Sequence, residues 1–174
     1  PQSSTEELVA SEIRSQDKGQ KLALAVLRND QFPSVVGVDD ATGEALGWVN
    51  HVRESVGLHT VREESALQEA ASGHARFLAL HQDLYDEGLS FHHEEKGREG
   101  FLAERYWERQ ALFDTSEIAL GEVIAFQPSS AAAVGQWMES VYHRIPLIDT
   151  RASAGGYAVR TDNGRTFGVM EPVS

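Results

Sequence analysis

Asp162-Asn-Gly, set between Tyr157-Ala-Val-Arg-Thr and Arg165-Thr-Phe-Gly-Val-Met, constrains the fold of this chain more than any other feature. Asn-Gly tolerates positive φ at both centres of a two-residue turn, so the flanking runs are expected to pair as antiparallel strands. Helical signals precede the hairpin. Leu46, Val49, Val52 and Val56 recur at helical spacing, with Asp40 or Thr42 as candidate caps and Gly57 where a left-handed C-cap belongs. Leu67, Ala70, Ala71, His74, Phe77, Leu78 and His81 form a longer stripe that must face a core. It predicts a helix starting near Glu63 and ending between Tyr85 and Gly88.

The remaining segments are less regular. Ser90 to Phe113 is charged and aromatic without a clean period, and reads as a loop around His92-His93 followed by a short helix at Gly100 to Arg109. Ile118 to Phe126 reads as a buried strand or a short turn of helix. Pro128-Ser-Ser then opens a helix through Ala132, Val134, Trp137, Met138 and Val141. Between Thr5 and Leu27 two weakly helical clusters occur, Leu8 to Ile13 and Leu22 to Leu27, and a loop with Pro33 and Gly37 follows.

Composition limits the function. With 174 residues and 41% hydrophobic content the chain is expected to build one domain. Lys and Arg number 15 against 27 Asp and Glu, a formal charge of -12 whose field repels phosphate backbones, so nucleic acid is not an expected partner. No apolar run approaches the roughly 18 residues of a membrane-spanning helix, and an integral membrane protein is not expected. Cysteine is absent, which removes disulfides, thiolate metal sites and thiol nucleophiles. The chain begins at Pro1 rather than at an initiator Met, which reads as a processed or trimmed start.

Three places carry candidate chemistry. Glu139 and His143 stand four apart in Trp137-Met-Glu-Ser-Val-Tyr-His143, on one face if the helix is continuous, where they either share a cation or form a solvated pair. His92-His93-Glu94-Glu95 gathers imidazoles and carboxylates in a loop, a composition that suits zinc or a merely polar surface. Glu122 follows Gly121 within an apolar stretch, so it is paired or functional, or else sits at a strand edge in water. His74 lies on its helix's apolar stripe and reads as a hydrogen-bonded core histidine. No Gly-x-Ser-x-Gly context supports a serine nucleophile, and no Gly-rich phosphate loop is present.

These pieces stand in the order of the CAP superfamily, the cysteine-rich secretory protein, antigen 5 and pathogenesis-related group. Trp48-Val-Asn-His-Val-Arg53 followed by Gly57-Leu58 resembles its first helix, and Leu67, Ala70-Ala71 and His74-Ala75 resemble its second. His92, Gly97 and Phe101 reproduce a family loop spacing that selects His92 over His93. Gly121-Glu122-Val-Ile-Ala125 is similar to Gly-Glu-Asn-Ile-Ala, with Val123 where Asn is usual. Ala133-Val-x-x-Trp137-Met138 and Tyr142-His143-Arg144 with Pro146-Leu147 complete the series.

The resemblance implies an α+β fold, a three-layer α-β-α sandwich around a central antiparallel sheet. It places the CAP domain at 41–174 and leaves 1–40 without a counterpart, as an extension packing on the domain or the remnant of a larger chain. It also implies a cleft holding two His and two Glu. His92, Glu122 and His143 match three positions, and His93 and Glu139 are neighbouring candidates. The fourth, three residues after the Trp, is Ser140 here, and Glu139 points about 100 degrees away on a helix.

By the same resemblance, the protein is an extracellular or envelope-associated bacterial domain. Its cleft would bind a small-molecule, lipid or peptide ligand and would admit a divalent cation, zinc or magnesium, on His92 and His143. Binding is favoured over catalysis because no nucleophile is identifiable. The alternative is a metal-assisted hydrolase of peptides or esters with Glu122 as base, or with Glu139 or Glu94 if Glu122 is a ligand. A structural or adhesive module is the third reading.

Overall fold

The structure is a computed structural model that describes residues 41–113 and 117–174. The expected extension over 1–40 and the candidate cap Asp40 lie outside the described residues, and Thr42, the other candidate, falls within the helix Ala41–Ser55 and not at its cap.

The apolar repeat from Leu46 forms α1 (Ala41–Ser55), which ends in the expected left-handed turn. Gly57 has φ +81°, and the amides of Gly57 and Leu58 return to the Glu54 and Arg53 carbonyls. β1 (Arg62–Glu63) leads into α2 (Ser65–Leu80), whose buried face is the predicted stripe, including His74. The helix is shorter than its pattern. His81, at φ -123° and ψ 44°, breaks it, and α3 (Gln82–Asp86) continues in a new direction. The helix expected at Gly100 to Arg109 begins later, as α4 (Tyr106–Ala111), where the Glu108 carboxylate accepts the Arg105 amide.

β2 (Val123–Ala125) resolves the strand-or-helix ambiguity toward strand. Ser129 then caps α5 (Ser130–Glu139) by accepting the Ala132 amide at 3.3 Å. This helix stops at Glu139 instead of running through Val141. Ser140 is extended (φ -99°, ψ 129°), and α6 (Val141–Leu147) starts afresh. Arg144 of α6 turns back and donates to the Met138 carbonyl at 2.9 Å, satisfying a helix-end acceptor left open by the break.

The hairpin forms as predicted: β3 (Ala154–Asp162) and β4 (Arg165–Val173) pair antiparallel across Asn163 and Gly164, both with positive φ. The sheet order is β1-β3-β4-β2, with β2 antiparallel to β4 and the two-residue β1 parallel to β3. Because side chains alternate along a strand, the sheet feeds two cores. Val123, Ala125, Tyr157 and Met170 face α1 and α5. Ile124, Phe167 and Val169 face α2 and α3. This is the helix-sheet-helix layering.

Close approach on the α2 side depends on Gly156, where a Cβ would fall 2.2 Å from the Gln68 amide nitrogen. On the other side Arg53, fully buried, donates to the carbonyls of His59, Leu147, Asp149 and Ala152, tying the end of α1 to the end of α6.

Candidate functional site

Glu122 enters the structure immediately before β2, in the apolar context that marked it in sequence. Gly121 lets it lie close under α6, since a Cβ there would meet Pro146 at 3.1 Å. The carboxylate is therefore drawn into the interior, with its side chain at zero exposure. It is paired, not at a strand edge in water. His92 Nδ1 donates to Oε1 at 2.9 Å, and Arg109 Nη2 of α4 donates to Oε2 at 2.6 Å. His74 Nε2 lies 3.7 Å from Oε1.

His74 itself, at zero exposure, is the hydrogen-bonded core histidine its helix position implies. Nε2 donates to the Phe91 carbonyl and Nδ1 to Glu94 Oε1, each at 2.8 Å. Glu94 is the buried acid of the loop, and its second oxygen accepts the Leu102 amide at 2.7 Å. Arg109 Nε sits 3.8 Å from the same carboxylate. Two basic side chains, His74 and Arg109, thus alternate with the carboxyls of Glu94 and Glu122 in the interior.

Burial opposes ionisation of Glu122 most strongly. The nearby His74 charge, the His92 bond and the Arg109 contact together outweigh it and hold the carboxyl down at about 2. The opposite happens at Glu171 of β4, also fully buried. Burial first, then the neighbouring Glu122 charge, pushes its carboxyl well above the usual range.

His143 of α6 is half-buried, with its Nδ1 buried and without a hydrogen-bond partner. Burial, and then His92, lower its pKa, so the two imidazoles are electrostatic neighbours. His92 has 40% of its side chain exposed and engages Glu122 through Nδ1. The structure thus brings His92, Glu122 and His143 to one place.

Glu139 is not brought there. The shared-face argument needs a continuous helix, and the break at Ser140 removes it; Glu139 is exposed at the end of α5. His93 turns to the rim, where Arg105 donates to its Nε2, and burial and that guanidinium lower its pKa.

Arg109 and Glu171 escaped the sequence reading. For Glu171 a signal existed: strand alternation sets it on the face of Phe167, Val169 and Val173, an acid among core positions. Arg109, in a short segment without period, had none.

Among the described residues no group of three or more His, Cys, Asp or Glu side chains is arranged to hold a metal ion. Both oxygens of Glu122 and of Glu94 are already engaged by donors.

The family model of the cysteine-rich secretory protein family, CAP, matches residues 46–171, and the chain belongs to that family. Its fold is similar to that of an outer surface protein from Borrelia burgdorferi, with a TM-score of 0.60 at 16% identity over 76% of this chain and 90% of that one. It is also similar to an extracellular protein containing an SCP domain from Bacillus anthracis, with a TM-score of 0.58 at 18% identity over 76% of this chain. The match spans 40% of the length of the Bacillus protein. Among curated proteins no sequence match was found. No helix among the described residues is long and apolar enough to cross a membrane.

Proposed function

We propose that this chain is a ligand-binding CAP domain of an extracellular or envelope-associated bacterial protein, and that its cleft binds a small molecule or peptide through His92 and His143. The observation that carries this reading is the His92 Nδ1 to Glu122 Oε1 bond of 2.9 Å. A buried, ionised carboxylate fixes the ring's tautomer and orientation and turns Nε2 toward the cleft as an acceptor. His143 stands beside it with its charged form disfavoured. The location is supported by the similar folds, which belong to an extracellular and an outer surface protein.

A hydrolase has less support. Glu122 and Glu94 are held by buried donors, Glu139 lies outside the cleft, and a carboxyl held at about 2 is a poor proton acceptor at neutral pH.

The test is a titration of the histidine-labelled protein with a fragment set of amides, alcohols, dipeptides and short fatty acids, read at the imidazole resonances. At least one class is expected to shift His92 and His143 together, and that response is expected to vanish in His143→Ala. A cleft that answers to none of them would overturn the proposal and favour a structural or adhesive module.

A further inference from the structure

Both oxygens of Glu122 are occupied by the chain's own donors. A carboxylate that serves as a metal ligand needs a lone pair directed at the ion. In this chain Glu122 Oε2 is taken by Arg109 at 2.6 Å, and Oε1 by His92 at 2.9 Å with His74 Nε2 at 3.7 Å. Arg109 cannot step aside. It is fully buried, its Nη1 donates to the Ala103 and Glu104 carbonyls at 3.3 Å, and its Nε lies 3.8 Å from Glu94. Nor can it be neutralised, since a guanidinium keeps its proton in proteins. A divalent ion brought to Glu122 would face a fixed positive charge in a medium that screens poorly.

We infer that Arg109 is the resident cation of this cleft: its guanidinium takes the place of a divalent ion, and the cleft recognises a metal-free ligand whose hydroxyl, amide or ammonium group donates to His92 Nε2. The inference rests on the ligand-binding reading above and adds its chemistry. Arg109 acts here as a positioning residue. It compensates Glu122, Glu122 accepts the Nδ1 proton of His92, and the remaining ring nitrogen presents a lone pair. A ligand that must donate to that lone pair has a different character from one coordinated through a metal.

Zinc chloride titrated into the full chain at neutral pH, followed by calorimetry and by the imidazole resonances, tests this. Zinc at molar excess is expected to leave His92 and His143 unshifted. Stoichiometric uptake that moves both resonances and is lost in His92→Ala would overturn the inference.

Arg109→Gln frees the Glu122 oxygen and is expected to raise zinc affinity at the cleft by roughly tenfold or more, while Arg109→Lys keeps the wild-type refusal. A folded Arg109→Gln with unchanged zinc response would also overturn it. Should that variant not fold, wild type and Arg109→Lys decide the matter. Zinc uptake by wild type leaves fragment binding standing, whereas a cleft blind to every fragment sinks the ligand reading and leaves the zinc result unaltered, so the two failures are distinct.

Discussion

Arg109 Nη2 lies 2.6 Å from one oxygen of Glu122, and His92 Nδ1 lies 2.9 Å from the other. The first contact is wholly buried and the second reaches a partly exposed ring, so one carboxylate couples the interior to the surface. Removing it should strand a buried guanidinium. Glu122→Ala is expected to cost about 3–5 kcal/mol in urea unfolding, as for other broken buried ion pairs. His92→Ala, at a half-exposed position, is expected to cost only about 1 kcal/mol while abolishing fragment binding. Equal losses from the two variants would contradict this division.

The acid limb of stability should report Glu122. Its folded pKa is depressed from 4.5 to about 2, so between those values the unfolded chain holds the extra proton and stability rises with pH. The contribution, on the order of 3 kcal/mol, is complete above pH 4.5 and lost as pH falls through about 2. Unfolding free energies measured across that range should lose this slope in Glu122→Gln.

Glu171 should act in the reverse direction. Its folded pKa is raised, so above the ordinary value of 4.5 the native state holds the extra proton and stability declines as pH rises. Glu171→Gln mimics the neutral acid. It should flatten the decline that begins above the ordinary value of 4.5 and be neutral or stabilising at higher pH. A strongly destabilised variant there would mean that the carboxyl is ionised in the fold.

Arg53 anchors the helix that carries His143, at a distance from the cleft. Arg53→Met fills much of the volume but leaves the His59, Leu147, Asp149 and Ala152 carbonyls without their donor. A loss of about 3 kcal/mol or more in urea unfolding is expected, with a displaced His143 imidazole resonance in the folded protein. A shift without the stability loss would mean that water replaces the guanidinium.

Gly156→Ala tests the seat of α2 on the sheet. The new methyl would sit 2.2 Å from the Gln68 nitrogen and 2.3 Å from the Leu67 carbonyl carbon, both backbone, so the helix must move. Expected is a loss of about 1–3 kcal/mol, read as a lowered thermal midpoint. Gly164→Ala is no substitute control, because its positive φ adds strain of another kind.

Much of the fold was legible because its signals are local. A helix of period 3.6 writes Leu46, Val49 and Val52 along one face, and Asn163-Gly164 encodes the turn that joins β3 to β4. Breaks were less so. His81 and Ser140 interrupt helical patterns without Gly or Pro, and at Ser140 the reason lies in Arg144 reaching back to Met138. A propensity reading sees no cause to stop there.

By itself the sequence determined the CAP family, the hairpin and the two long helical stripes, since each is carried by short-range pattern, and the family resemblance singled out His92, Glu122 and His143 as candidates. Only the tertiary structure decided what balances Glu122. Arg109 is 13 positions away on a helix with no periodic signal, His74 belongs to a different layer, and Glu171 comes from the last strand. A buried charge must find its partner wherever packing brings one, and that requirement operates through space rather than along the chain.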